Sequence, residues 1–202
     1  MEATGGAWRN GVMALLALAA VLACTTTMAA ATLPFSGSPI IHYDYPFYIF
    51  SQRSGAYCDR RRNGSISNIY CDTGKTTPEG MAQFVITEGE GAGPVPSSTT
   101  INGALGMYPL KQYCAVVGPA TDAAHDIWCD MPLVSPFFQF VNNVWPPPDP
   151  WLHGNSTPVL FKTTLGAPNS WCTAPPPYNN QGFVECNRLL FDVWETFYFV
   201  VV

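Results

Sequence analysis

Six of the seven cysteines fall into three evenly spaced pairs: Cys58 with Cys71, Cys114 with Cys129, and Cys172 with Cys186. Thiols placed this way can close disulfides or hold a soft metal. A metal centre would want closely spaced cysteines together with histidine, and His42, His125 and His153 form no such spacing. Disulfides are therefore expected, and no metal. The pairs return at a nearly constant interval, from Cys58 to Cys114 to Cys172 and from Cys71 to Cys129 to Cys186. Each repeating unit thus holds its own pair, which selects Cys58–Cys71, Cys114–Cys129 and Cys172–Cys186 from the many pairings that six cysteines allow.

Catalytic patterns are missing. No G-x-S-x-G, H-E-x-x-H or Gly-rich phosphate loop is present, so the chain reads as a non-enzyme without a cofactor. Residues suited to binding are more evident. Trp145 and Trp151 bracket a proline run that should form a stiff polyproline II arm, and unlike the other aromatics they do not recur between repeats. Tryptophans on a rigid loop suit stacking on a pyranose face or docking a protein; burial against the fold is the competing reading. Ala174-Pro175-Pro176-Pro177-Tyr178 is a second loop of this kind. Arg60, Arg61 and Arg62 could hold a sulfated or uronic glycan through bidentate contacts, or simply form a solvated hairpin loop with Asp59 and Asp72. Asn63-Gly64-Ser65 and Asn155-Ser156-Thr157 are glycosylation sequons in expected loops. Asp72, Asp130 and Asn187 each follow a second cysteine, where an Asx side chain commonly caps a turn.

The N-terminal stretch bears on compartment. Arg9 precedes an apolar run from Val12 to Ala23, and Ala29-Ala30-Ala31 offers a cleavage site, so residues 1–31 read as a secretory signal peptide. Retention as a membrane anchor and lipidation at Cys24 are the alternatives, the anchor being the one route to a membrane. Removing the leader leaves an even number of cysteines, in keeping with an oxidising, extracellular or cell-surface location. It also removes one arginine and one glutamate, so the net charge stays at −5. Nothing forms a broad basic face, which excludes nucleic acid as a partner. A low share of charged residues, 11%, beside 13% aromatics suits a compact β protein rather than a disordered one.

The cysteine pairs need elements to place them. Residues 32–44 form a Pro/Gly/Ser lead-in without periodicity, expected to be loosely held. The first copy should hold strands at Phe47–Phe50, Ala56–Asp59, Asn68–Asp72 and Met81–Ile86, with Arg60 to Ser67 as a polar loop. The second runs Met107–Lys111, Tyr113–Val116, Ile127–Asp130 and Phe137–Val141; the third Val159–Lys162, Ser170–Thr173, Phe183–Cys186 and Thr196–Val201. Residues 189–194 could hold a single helical turn. A third landmark keeps the beat: Gln83-Phe84-Val85, Gln139-Phe140-Val141 and Tyr198-Phe199-Val200. Aromatics precede the cysteines (Tyr57, Tyr70, Tyr113, Trp128, Trp171), and strand alternation puts them on the opposite face, as a core or capping layer or as sugar-stacking platforms.

Twelve short strands in three four-stranded repeats (about 45–98, 99–156 and 157–202), with one disulfide per repeat, resemble the β-trefoil superfamily. The resemblance covers residues 45–202 and implies an all-β fold closed into a barrel with a hairpin cap, which leaves no exposed edges. A threefold prism-like arrangement would give a similar repeat. No single trefoil class matches. Ricin-type lectins carry Q-x-W in each repeat, and every glutamine here lacks that tryptophan. Kunitz-type trypsin inhibitors carry Lys or Arg on the loop that corresponds to residues 87–106, which has neither. Cytokine-type trefoils use a basic patch, for which only Arg60–Arg62 is available. The chain therefore reads as a secreted, non-catalytic binding module for carbohydrate of a cell wall or extracellular matrix, with Trp145, Trp151 and Arg60–Arg62 as contacts. A cell-surface structural or protein-interaction module, or a protease inhibitor using a loop other than 87–106, are the competing readings.

Overall fold

The computed structural model describes residues 37–63, 66–87, 93–97, 100–101, 103–110, 112–117, 125–132, 138–142, 149–163, 170–174, 182–188 and 196–202. The leader, residues 189–194, and the Trp145 and Tyr178 loops lie outside them. Among the described residues every regular element is a β-strand, and all ladders are antiparallel.

The first copy holds β1 (Tyr48–Ser51), β2 (Ala56–Tyr57), β3 (Asp59–Asn63), β4 (Ile66–Tyr70) and β5 (Gln83–Thr87). The second holds β6 (Thr100–Ile101), β7 (Ala104–Tyr108), β8 (Gln112–Val117), β9 (His125–Met131) and β10 (Phe138–Asn142). The third holds β11 (Pro158–Thr163), β12 (Ser170–Thr173), β13 (Glu185–Arg188) and β14 (Thr196–Val200). Fourteen strands stand where twelve were expected because two are interrupted. The second strand of the first copy breaks at Cys58, whose N–H turns to the Ile49 carbonyl at 2.7 Å. The first strand of the second copy breaks before β7, at Gly103, which adopts φ +131° and sits against Ile86 and the Thr87 carbonyl, where no Cβ would fit.

All fourteen strands belong to one antiparallel sheet, within which similar pairings occur in the three stretches of chain. The first two strands of each copy pair as β1–β2, β7–β8 and β11–β12. Its central hairpin pairs as β3–β4, β8–β9 and β12–β13. The central hairpins also join one another, through Asn68 opposite Trp128, Glu185 opposite Asp126, and a bridge between Tyr70 and Phe183. A second circuit runs β14–β1, then Phe47 bridged to Phe84 beside β1 and β5, then β5–β7, β6–β10, β10–β11 and β11–β14.

Three disulfides, Cys58–Cys71, Cys114–Cys129 and Cys172–Cys186, span separations of 13, 15 and 14 residues as the repeat requires. All six cysteines are 2% exposed or less and belong to one hydrophobic core with Phe47, Phe84, Phe161, Phe197 and Phe199. Alternation holds, with the sulfurs inside. Of their aromatic neighbours only Tyr57 is buried; Tyr70, Tyr113, Trp128 and Trp171 are half-buried and form an outer layer. Arg61 lies 4.1 Å over the Tyr70 ring and the Lys162 ammonium 5.3 Å over Trp171, so this layer is covered by cations as well as by apolar groups.

Two expectations need correction. The polar run Arg60–Asn63 is strand, not loop: it pairs residue for residue with Ile66–Ile69 and leaves only residues 64–65 between the strands. Long arginine stems can lie along a pleated surface while their heads stay wet, so polarity concealed the strand. Nor is the described part of the lead-in, residues 37–44, loose. Ile41 and Tyr43 are buried in the core, and Ile40 and His42 bridge to His153 and Pro94. Isolated apolar residues between proline and polar neighbours show no period, although each can still fill a core position.

The β9–β13 joint sets Glu185 directly opposite Asp126. Burial, and after it the Asp126 charge, push the Glu185 carboxyl above its ordinary value. The native state then holds this proton more tightly than the unfolded chain does. Stability associated with Glu185 is therefore greatest below the ordinary glutamate pKa and falls as pH rises through the raised one. Glu185→Gln should raise Tm at neutral pH, and the advantage should disappear on acidification below the ordinary glutamate range. Paired thermal melts across that range check this; an advantage that persisted in acid would contradict it.

Candidate functional site

Three loops meet in a closed hydrogen-bond ring. Ile41 N–H donates to the Leu152 carbonyl, Leu152 N–H to Val95 and Val95 N–H to Ile41, each at 2.8 Å. The three side chains are buried. Ile41, Val95 and Leu152 follow one another at nearly the interval of the cysteines. Their neighbours continue the cycle through the bridges Ile40–His153, His42–Pro94 and Pro96–Trp151. The ring therefore fixes the backbone on both sides of Trp151, and the Ser97 N–H adds a 2.8 Å bond to the Pro150 carbonyl.

Local chemistry completes the loop. Asp149 Oδ1 accepts the Trp151 N–H at 2.9 Å, an Asx turn for which Asp-Pro is well suited. Asp149 Oδ2 lies 3.3 Å from His153 Nε2, and His153 Nδ1 lies 2.8 Å from the Ser38 carbonyl. The Trp151 N–H, with a smaller contribution from His153, holds the Asp149 carboxyl below the usual carboxylate range. Gly154 is closely approached: a Cβ there would sit 3.1 Å from the Phe199 carbonyl and 3.0 Å from Ile41 Cδ1, so these neighbours would have to give way.

Asn155 follows in the left-handed region, with φ 62°. Its Oδ1 accepts the Val201 N–H at 3.0 Å and its Nδ2 donates to the Val201 carbonyl at 3.3 Å. At 6% exposure, with both ends of the amide engaged, Asn155 ties this loop to the C-terminal strand. A glycan on Nδ2 would displace the bond to the Val201 carbonyl. For the other sequon, β3 ends at Asn63, whose side chain lies outside the described residues together with Gly64 and Ser65.

The loops enclose a cleft of about 410 Å³. Trp151, 38% exposed, forms one wall, and Asp149, His153, Ser38, Ser97 and Thr157 contribute polar groups around it. An aromatic face beside a carboxylate, an imidazole and hydroxyls can stack on the apolar face of a ring while bonding to its polar edge. Both nitrogens of His153 point at acceptors, so the ring is held in place and neither is directed at a hydroxyl nucleophile.

Of the expected contacts, Trp151 is in this cleft. Trp145 lies outside the described residues. Arg60, Arg61 and Arg62 lie elsewhere, on a hairpin whose neighbours are β9 and the Tyr70–Phe183 pair, ring centroids 5.2 Å apart. Strand alternation sends Arg61 to one side and Arg60 and Arg62 to the other, so the three do not converge on one anion. Asp59 does not pair with them through its side chain: its Oδ1 accepts the backbone N–H groups of Arg60 at 2.7 Å and Ala82 at 3.0 Å. Asp130 Oδ2 accepts the Ser67 N–H at 3.1 Å and so ties β9 to β4. Asp149 and His153 belong to no motif, whereas the Ile41–Val95–Leu152 spacing was present in the sequence as a further repeat landmark. Among the described residues no group of three or more His, Cys, Asp and Glu side chains is placed to hold a metal ion.

In comparisons with known proteins, no family model and no curated protein matches the chain.

Proposed function

We propose that the protein is a secreted, non-catalytic carbohydrate-binding module of β-trefoil-like architecture, and that the Trp151 cleft is its sugar site. The observation that carries this reading is the half-exposed Trp151 ring, held on a loop braced from both sides and facing polar groups across a cleft of about 410 Å³. A pre-formed aromatic platform avoids the ordering cost that a free tryptophan would incur on binding. Support for the trefoil comes from the threefold pairings: three central hairpins joined in a triangle, and a circuit of ladders that returns to its start if β6 and β7 act as one interrupted strand. Three buried disulfides call for an oxidising compartment, which supports secretion. The contacts of both His153 ring nitrogens with Asp149 and Ser38 favour binding over proton transfer. The ligand class is a neutral polysaccharide of a cell wall or extracellular matrix, since the cleft carries a carboxylate and the arginines lie elsewhere.

Trp151→Ala should reduce retention on the cognate polysaccharide by about tenfold or more, while leaving Tm almost unchanged because the ring is not part of the core. Affinity electrophoresis against a panel of neutral and acidic polysaccharides measures this. Retention that survives the substitution would remove the cleft from the reading. No retention of the folded wild type on any polysaccharide would favour the protein-docking alternative, for which Ile40 and Trp151, each 38% exposed beside the same hydrogen-bond ring, would form the contact patch.

A further inference from the structure

The outer face of β5, β7 and β8 carries a second hollow, of about 490 Å³, that the sugar site does not use. Its floor follows from the register. Val85 pairs with Gly106 and Gly106 with Tyr113, so these three stand in one row across the sheet, with Tyr108 and Thr87 in the flanking rows. Side chains of one row share a face, and the missing side chain at Gly106 leaves the centre of that face empty. A Cβ there would already lie 3.3 Å from Val85 Cγ2. Tyr108, 45% exposed, and Tyr113 wall the hollow, and Asp44 stands on its rim.

The one charged side chain among its described lining residues is the Asp44 carboxylate. The Thr87 hydroxyl donates to the Ala104 carbonyl at 3.4 Å, which leaves its oxygen as an acceptor. No described residue lining the hollow is basic. Such a site repels an anion, and a cation beside the rim gains the attraction of the Asp44 carboxylate.

We propose that this hollow binds a small organic cation, an ammonium group with an apolar body. The charge would lie against Asp44, and the alkyl groups over the faces of Tyr108 and Tyr113, where the ring quadrupoles attract a cation. This is independent of the sugar reading, because it uses another face and other residues.

Calorimetric titration at low ionic strength with choline, and with its neutral isostere 3,3-dimethylbutan-1-ol, tests it. Choline should bind with a dissociation constant of about 1 mM or tighter, and the alcohol about tenfold more weakly. Asp44→Asn suits the left-handed backbone at this residue (φ 63°) and should weaken choline about tenfold, as should Tyr108→Ala, both with unchanged Tm. Trp151→Ala should leave choline binding intact, whatever it does to polysaccharide retention. Absence of choline binding to the folded wild type would overturn the proposal, and so would equal affinity for the alcohol or indifference to Asp44→Asn.

Discussion

Phe161→Ala is expected to destabilise the fold by about 3–5 kcal/mol, a large part of the stability of a domain this size. Phe161 is fully buried on β11 and stacks on Phe197 of β14, with centroids 4.3 Å apart and planes 10° from parallel. It also lies 6.2 Å from Phe199, which in turn packs 4.4 Å from Phe47. Truncation would therefore open a cavity where several parts of the fold meet, and aromatic rings on antiparallel strands cannot collapse into it without shifting the ladders. Equilibrium urea unfolding with the disulfides intact measures the loss as a drop in midpoint at constant slope. Tyr108→Ala, on the exposed rim of the second hollow, is the control and should stay within about 0.5 kcal/mol of wild type. A Phe161→Ala cost below about 1 kcal/mol would mean that the ring does not occupy the core.

The paired substitution Cys172→Ala with Cys186→Ala is expected to cost about 3 kcal/mol. The bridge spans a sequence separation of 14, and the unfolded chain gains that loop's freedom once the bond is lost. Removing both cysteines avoids leaving one free thiol to mispair. The bridge links residues directly opposite on the β12–β13 ladder, so the hairpin register should survive its loss. The three staples close loops of similar length, and reducing all of them should cost about 9 kcal/mol, enough to unfold most domains. Far-UV circular dichroism of the reduced, alkylated protein checks this. A reduced form that melted cooperatively within a few degrees of the oxidised one would show that hydrophobic packing alone sustains the fold.

The all-β class and the disulfides could be read from residue types because each rests on short-range chemistry. A hairpin sets its cysteines face to face across one short loop, so spacing is sufficient to pair them. Alternation then puts the sulfurs in the core and Tyr70, Tyr113, Trp128 and Trp171 in the layer outside. Arg60–Asn63 and residues 37–44 escape a local reading for the converse reason: a charged strand and an unperiodic core segment take their state from the partners they pack against, which no local pattern displays.

The candidate sites divide along the same line. Trp151 stood out as a non-recurring tryptophan beside prolines, which marks a rigid loop whatever surrounds it. Its cleft did not, because Ser38, Ser97 and the Asp149–His153 pair come together only through the hydrogen-bond ring of Ile41, Val95 and Leu152, each from a different copy. The sequon at Asn155 is a chain pattern, but burial and the two bonds to Val201 make that asparagine a structural tie. The second hollow depends on a glycine whose neighbours across the sheet come from two other strands. Local periodicity and covalent spacing are properties of the chain, whereas burial, converging loops and empty space on a sheet face arise from long-range packing.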